Sequence, residues 1–207
     1  PFARSLPSPQ SIACLTVKID IDSIFGIMLL YMTTYRCTIC GEVTLAEKRP
    51  SDCPLCGAKK RYVKELDKVK GEDIFVVKKL SDESKKNLLL ALNMETYNAS
   101  FYKCASINGD AEAVKAIFKR LAKIAREHAD IARKFLGLDP IILQEEECSL
   151  ISSENLQKTV MRCAEATEFY KKAAVEARES KISTFFKAMI DAEEEAGSVA
   201  KKMLNGS

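Results

Sequence analysis

YRCTICGEVTLAEKRPSDCPLCGAKKRY, residues 35–62, decides how the chain begins its fold. Cys37 and Cys40 form one C-x-x-C pair and Cys53 and Cys56 form a second, with twelve residues between the pairs. Each pair lets two thiolates grip one ion from a tight turn. Gly41 and Gly57 follow directly, where the chain needs backbone angles that only glycine adopts freely. Four thiolates around one ion make a tetrahedral all-sulfur site, which suits iron or zinc. Iron would make the site a one-electron carrier; zinc would make it a structural clip. The paired spacing argues against unmetallated or disulfide-bonded cysteines here.

The rest of the chain is ordinary globular material. Its 207 residues are 47% hydrophobic and 29% charged, and 32 basic against 29 acidic residues give a net charge of +3. That balance carries no basic surplus for nucleic acid. The other four of the eight cysteines, Cys14, Cys104, Cys148 and Cys163, are scattered. Reduced cysteines are expected, as in an intracellular, cytoplasmic protein. Residues 1–31 differ in composition: a Ser/Pro-rich start precedes an apolar run broken by Lys18, Asp20 and Asp22. The unbroken part, Ser23 to Tyr31, is too short to span a bilayer, so no membrane anchor is expected. Met32 is the expected natural start, with residues 1–31 an extension left by upstream translation; a real presequence or anchor is the alternative. The expected division is then 32–66 for the cysteine domain, 67–80 for a charged linker with an extended patch at Ile74 to Val77, and 81–207 for a helical domain.

From Ser81 the apolar residues take helical spacing. Four helices are expected, over 82–107, 111–136, 153–178 and 181–204. Ser81 or Asp82, Asp110 and Ser152 are the expected caps of the first three, and Gly137 stops the second. The seam of helix two runs Val114, Ile117, Leu121, Ile124, His128, Ile131, Phe135, alternating three and four apart. Helix four carries Ile182, Phe186, Met189, Glu193, Ala196 and Ala200 along one stripe. Tight connections make helices one and two, and three and four, antiparallel hairpins. The longer stretch from Gly137 to Ser152 can cross the whole length of a bundle, since sixteen extended residues reach roughly 50 Å. A simple up-down bundle with a loose loop is the alternative. The fold class is therefore mainly α: a ferritin-like four-helix bundle preceded by a small rubredoxin-like metal knuckle.

Ionisable groups stand on the core stripes. Glu95 shares a face with Leu88, Leu92 and Tyr102; His128, the one histidine, lies in the seam of helix two; Glu193 lies on the stripe of helix four. Helix three adds Glu165 and Glu168, three apart and so on one face. A buried carboxylate without a partner is costly. Convergence of several on one core points to a metal or to a closed hydrogen-bonded network. The competing reading is that each is a satisfied core residue, or turns to solvent or to a cation such as Arg162.

Over residues 35–204 the chain resembles the rubrerythrins. YRCTICG and CPLCGAKKRY are similar to their short rubredoxin domain, departing at Glu42, where an aromatic is common. NLLLALNMETYNASFY resembles the first-helix motif, with Glu95 as ligand and Tyr102 seven residues on. AREHADIARKFLG resembles the second-helix motif at His128, AEATEFY the third-helix pair at Glu165 and Glu168, and FFKAMIDAEEEA the fourth-helix motif at Glu193. The knuckle preceding the bundle is similar to the domain order of reverse rubrerythrins. Where the family has a second-helix Glu, a fourth-helix His and a third-helix Tyr, this chain has Ala125, Ala196 and Ala173.

The resemblance implies peroxide reduction with electrons relayed from the rubredoxin iron, and a homodimer in which the knuckle docks on a partner's bundle. The substitutions point to one Fe or Mn in the bundle, held by Glu95, His128, Glu168 and Glu193. Glu165 would be left in the half that lost its histidine. Tyr102 would hydrogen-bond the centre. The other class of function is a non-catalytic metal-binding or electron-transfer protein, with only the four-cysteine site metallated. The electron donor is not legible in the sequence.

Overall fold

A computed structural model describes residues 32–69, 74–140, 142–143 and 145–206. The expectation that residues 1–31 are an extension lies outside the described residues. Three short strands, β1 Thr33–Cys37, β2 Val43–Ala46 and β3 Val63–Glu65, form an antiparallel sheet in the order β2-β1-β3. Tyr35 pairs with Thr44 on one side and Glu65 on the other, and Cys37 faces Val63. β1 thus delivers Cys37 into the first cysteine turn. The sheet is too small to bury a core of its own. Tyr35, Ile39, Ala58 and Val63 share their buried surface with the four cysteines.

The four helices are α1 Asp82–Asn108, α2 Glu112–Leu136, α3 Ser152–Glu176 and α4 Ser180–Asn205. α1 is capped as its sequence suggests: the Ser81 hydroxyl accepts from the Ser84 amide at 3.3 Å. Gly137 ends α2 in the left-handed conformation, φ +66°. The other two caps are exchanged. Asp110 does not cap α2; its carboxylate accepts from the Ser152 amide at 2.9 Å. The Ser152 hydroxyl accepts from the Ala111 amide at 3.1 Å. Each residue serves the other helix's end, an arrangement invisible to a local reading. Gly109 permits it, because a Cβ there would stand 2.8 Å from the Ser152 hydroxyl.

These contacts settle the topology. The start of α3 lies beside the α1–α2 turn. At the opposite end, Glu179 after α3 accepts from the Ser81 amide at 2.6 Å. α2 ends near the Ser81 end and α3 starts at the other, so their connection returns along the whole bundle. Residues 74–77 form no strand. Phe75 instead packs edge-on against Phe135 of α2, centroids 5.4 Å apart.

Two apolar cores fill the bundle. One joins the knuckle to Leu88, Ile131, Phe135, Tyr170, Phe185 and Phe186. The other gathers Phe101, Tyr102, Phe118, Leu121 and Leu156 towards the Asp110 end. Between them lies a layer of ionisable side chains. Among the described residues no helix is long and apolar enough to cross a membrane.

Candidate metal centres

The first centre follows from two turns of the same build. In each, the glycine amide after the C-x-x-C pair donates to the carbonyl of the pair's first cysteine: Gly41 to Cys37 and Gly57 to Cys53, both at 3.0 Å. The glycines take φ +87° and +72°. The turns face each other, with Cys37 Sγ 3.8 Å from Cys56 Sγ and Cys40 Sγ 3.6 Å from Cys53 Sγ. A tetrahedron with metal–sulfur distances of about 2.3 Å has edges of about 3.8 Å. The four sulfurs therefore stand where one iron or zinc ion would hold them. All four cysteines are buried and none is in a disulfide.

The second group is Glu95, His128 and Glu193, whose ligand atoms all lie within 4.8 Å of one another. Each residue comes from a different helix, α1, α2 and α4, and exposure is 0%, 1% and 6%. His128 Nε2 lies 2.8 Å from the Cys56 carbonyl oxygen. A carbonyl only accepts, so Nε2 carries the hydrogen, and the lone pair of the neutral ring sits on Nδ1, turned to Glu95. His128 Nδ1 and Glu95 Oε2 are buried without a hydrogen-bond partner. Two orphaned donor atoms, two carboxylates and an imidazole fixed from behind fit a divalent Fe or Mn ion.

Burial alone would push the His128 pKa down. The facing Glu95 charge and the Cys56 carbonyl override it and raise the pKa to about 9. Burial, helped by the Glu95 charge, raises Glu193 to about 8. Glu95 is oriented by Tyr170, whose hydroxyl donates to Oε1 at 2.6 Å. Tyr170→Phe is expected to destabilise the fold by about 1.5–3 kcal/mol, the usual worth of a hydrogen bond to a charged group. Urea unfolding measures this; an unchanged midpoint would contradict it.

The third helix differs most from expectation. Glu165 and Glu168 are exposed, and Glu168 pairs with Lys171 at 2.9 Å. Neither joins the cluster. α3 turns Cys163, Ala166, Thr167 and Tyr170 inward instead. Cys163 is the site residue that the sequence reading missed. Its thiol lies 3.8 Å from the Tyr102 hydroxyl, and burial followed by the Glu193 charge pushes its pKa up. Glu95 and Tyr102 are seven apart on α1, and Cys163 and Tyr170 are seven apart on α3. Each tyrosine reaches across to the other helix: Tyr170 to Glu95, Tyr102 to Cys163. That repeated spacing was the available signal. Arg162 serves elsewhere: it pairs with Glu146 of the long connection at 2.5 Å and lies over Phe101.

The knuckle packs on the bundle of its own chain. Asp52 accepts from Arg120 at 2.9 Å, Lys59 pairs with Glu195, and Arg61 pairs with Asp191. Gly57 lies over Ile124. A second departure concerns the scattered cysteines, expected to be reduced. Cys104 of α1 and Cys148 of the long connection form a disulfide.

Comparison with known proteins agrees with the first centre. Residues 35–63 match the rubrerythrin rubredoxin-like domain. The chain is 29% identical over 112 residues to Reverse rubrerythrin-1 of Clostridium acetobutylicum, covering 52% of this chain and 62% of that relative's length. The chain thus carries a rubrerythrin-type rubredoxin-like domain at residues 35–63 followed by a four-helix bundle, and over 52% of its length it is similar to a reverse rubrerythrin.

Proposed function

We propose that this is a non-haem iron electron-transfer protein that passes electrons from the four-cysteine site to one metal held by Glu95, His128 and Glu193, with peroxide as oxidant. The observation that carries this reading is the 2.8 Å contact between His128 and the Cys56 carbonyl. Cys56 offers its sulfur to one centre and its carbonyl to the other. His128 donates to that carbonyl from Nε2 and offers Nδ1 to the bundle. One amino acid and one hydrogen bond thus separate the two donor sets. Iron in both sites would supply one-electron chemistry at each.

Peroxide consumes two electrons and two protons to give two waters, and two one-electron centres per chain match that count. An external redox protein would return the chain to its reduced state. Around the site, Tyr102 is held in its protonated form by burial, which raises its pKa well above 10. Its hydroxyl is a fixed donor beside Glu193. Apolar clusters pack above and below the three ligands.

A non-catalytic reading, with metal only at the cysteines, draws support from the raised pKa of His128. A protonated His128 would pair its Nδ1 with Glu95 Oε1, 3.4 Å away, without a metal. Iron loading separates the two. The full chain, loaded anaerobically with Fe(II), is expected to bind two irons. On mixing with peroxide, the red colour of the oxidised cysteine site should develop within the mixing experiment rather than over minutes. An iron count of one, with no peroxide-dependent colour change, would establish the non-catalytic reading instead.

A further inference from the structure

A cavity of about 290 Å³ opens between α2 and α4 and ends on the bundle centre. Its floor is Tyr102, His128 and Glu193. Its walls are Ile117, Leu121, Ile124, Ala125, Ala196 and Val199, all apolar. Arg120 and Glu195 stand at the rim with Gly57 of the knuckle. The rim charges are already answered: Arg120 by Asp52 and Glu195 by Lys59. Among the described residues the mouth therefore offers no unpaired charge to attract an ion. Ala125 and Ala196 are decisive for the shape. A long polar side chain at either position would reach into this space, and two methyl groups leave it open and greasy.

We infer that this cavity binds a small, neutral, apolar molecule carrying one oxygen-bearing end, and that on the functional reading above the substrate is an organic hydroperoxide. A cavity of about 150 Å³ suffices for benzene, so this one accepts a phenylalkyl group or a chain of comparable bulk. Hydrogen peroxide is far too small to use such walls. The apolar body lies along α2 and α4, with Ile117, Ile124 and Val199 replacing its water. The oxygen end meets the Tyr102 hydroxyl and Glu193 at the floor, which with His128 are the polar side chains there among the described residues. The reaction balances as ROOH plus two electrons and two protons giving ROH and water. The O–O bond breaks; ferrous iron held by the four cysteines and by Glu95, His128 and Glu193 would be the reductant, one electron from each site. Burial of the apolar body raises affinity without needing any contact to the metal.

The test uses the full chain and 2-phenyl-2-propanol, the alcohol formed from cumene hydroperoxide. Binding is followed by calorimetry and by ligand-observed NMR, neither of which depends on turnover. The wild-type chain is expected to bind one alcohol. Ala196→Leu, which fills the wall, and Val199→Phe, which blocks the outer end, should each weaken binding at least tenfold. Circular dichroism and the metal count at the cysteine site check that both variants fold. With iron loaded, the preference for cumene hydroperoxide over hydrogen peroxide should fall at least tenfold in both. No binding by the wild type, or equal binding by both folded variants, overturns the inference. Cavity-dependent alcohol binding without consumption of either peroxide would sustain the binding site and overturn the peroxide reading on which the substrate rests.

Discussion

Cys40→Ser should abolish metal binding at the knuckle and unfold residues 33–69, the largest single effect expected in this chain. The reason is the make-up of the knuckle's core. Its buried side chains are Tyr35, Ile39, Ala58 and Val63 around four sulfurs, and three short strands add few hydrogen bonds. Such a core does not outweigh chain entropy without a metal. In small thiolate domains the metal's binding free energy, about 10–16 kcal/mol, is the folding free energy. Replacing one thiolate by a hydroxyl removes a ligand and leaves three sulfurs crowded together. Metal analysis should find that site empty, and amide exchange should show loss of protection through β1 to β3. The bundle should keep its helicity, since its second core lies away from the knuckle. A variant that retains full metal and protection at β1 would refute the assignment.

His128→Ala is expected to lower bundle metal affinity by more than about 100-fold, since even the loss of a residue that only orients a ligand costs 10–100-fold. It removes the one nitrogen donor and, with it, the bond to the Cys56 carbonyl. Two measurements should therefore change together. Iron per chain should fall from two to one, and peroxide should no longer oxidise the cysteine-bound iron quickly. The cysteine site itself should keep its metal, because none of its ligands has changed. Two irons in the variant would show that His128 is not a ligand. One iron with undiminished oxidation of the cysteine site would show that electrons leave by another route.

Much of this was legible from local pattern. The C-x-x-C pairs announce the knuckle because two ligands three residues apart need only one turn. The helices announce themselves by apolar spacing, and Ser81 and Gly137 by what caps and stops require. Glu95, His128 and Glu193 were legible as charges where apolar residues belong. What failed was the rotation of α3. Glu165 and Glu168 are spaced to share a face, but spacing does not say which face turns inward. The small residues Cys163 and Ala166 take the inward side, where α4 comes close enough that a Cβ on Gly197 would stand 3.2 Å from Cys163 Cβ. The exchanged caps at Asp110 and Ser152 were hidden because each partner is about forty residues away. The disulfide was hidden likewise, as nothing local marks Cys104 or Cys148 as partners.

The Cys104–Cys148 bond closes a covalent ring that contains all of α2 and therefore His128, but neither Glu95 nor Glu193 nor any cysteine of the knuckle. When the chain unfolds, those outer ligands disperse freely while the ring cannot open. With 44 residues of separation, chain-entropy reasoning puts the resulting restraint on the unfolded ensemble at about 4 kcal/mol. The histidine is thus the member of the bundle's ligand set carried by the looped part of the denatured chain. Oxidised and reduced protein would begin refolding from ensembles of different breadth, and the narrower one already holds α2 near the end of α1.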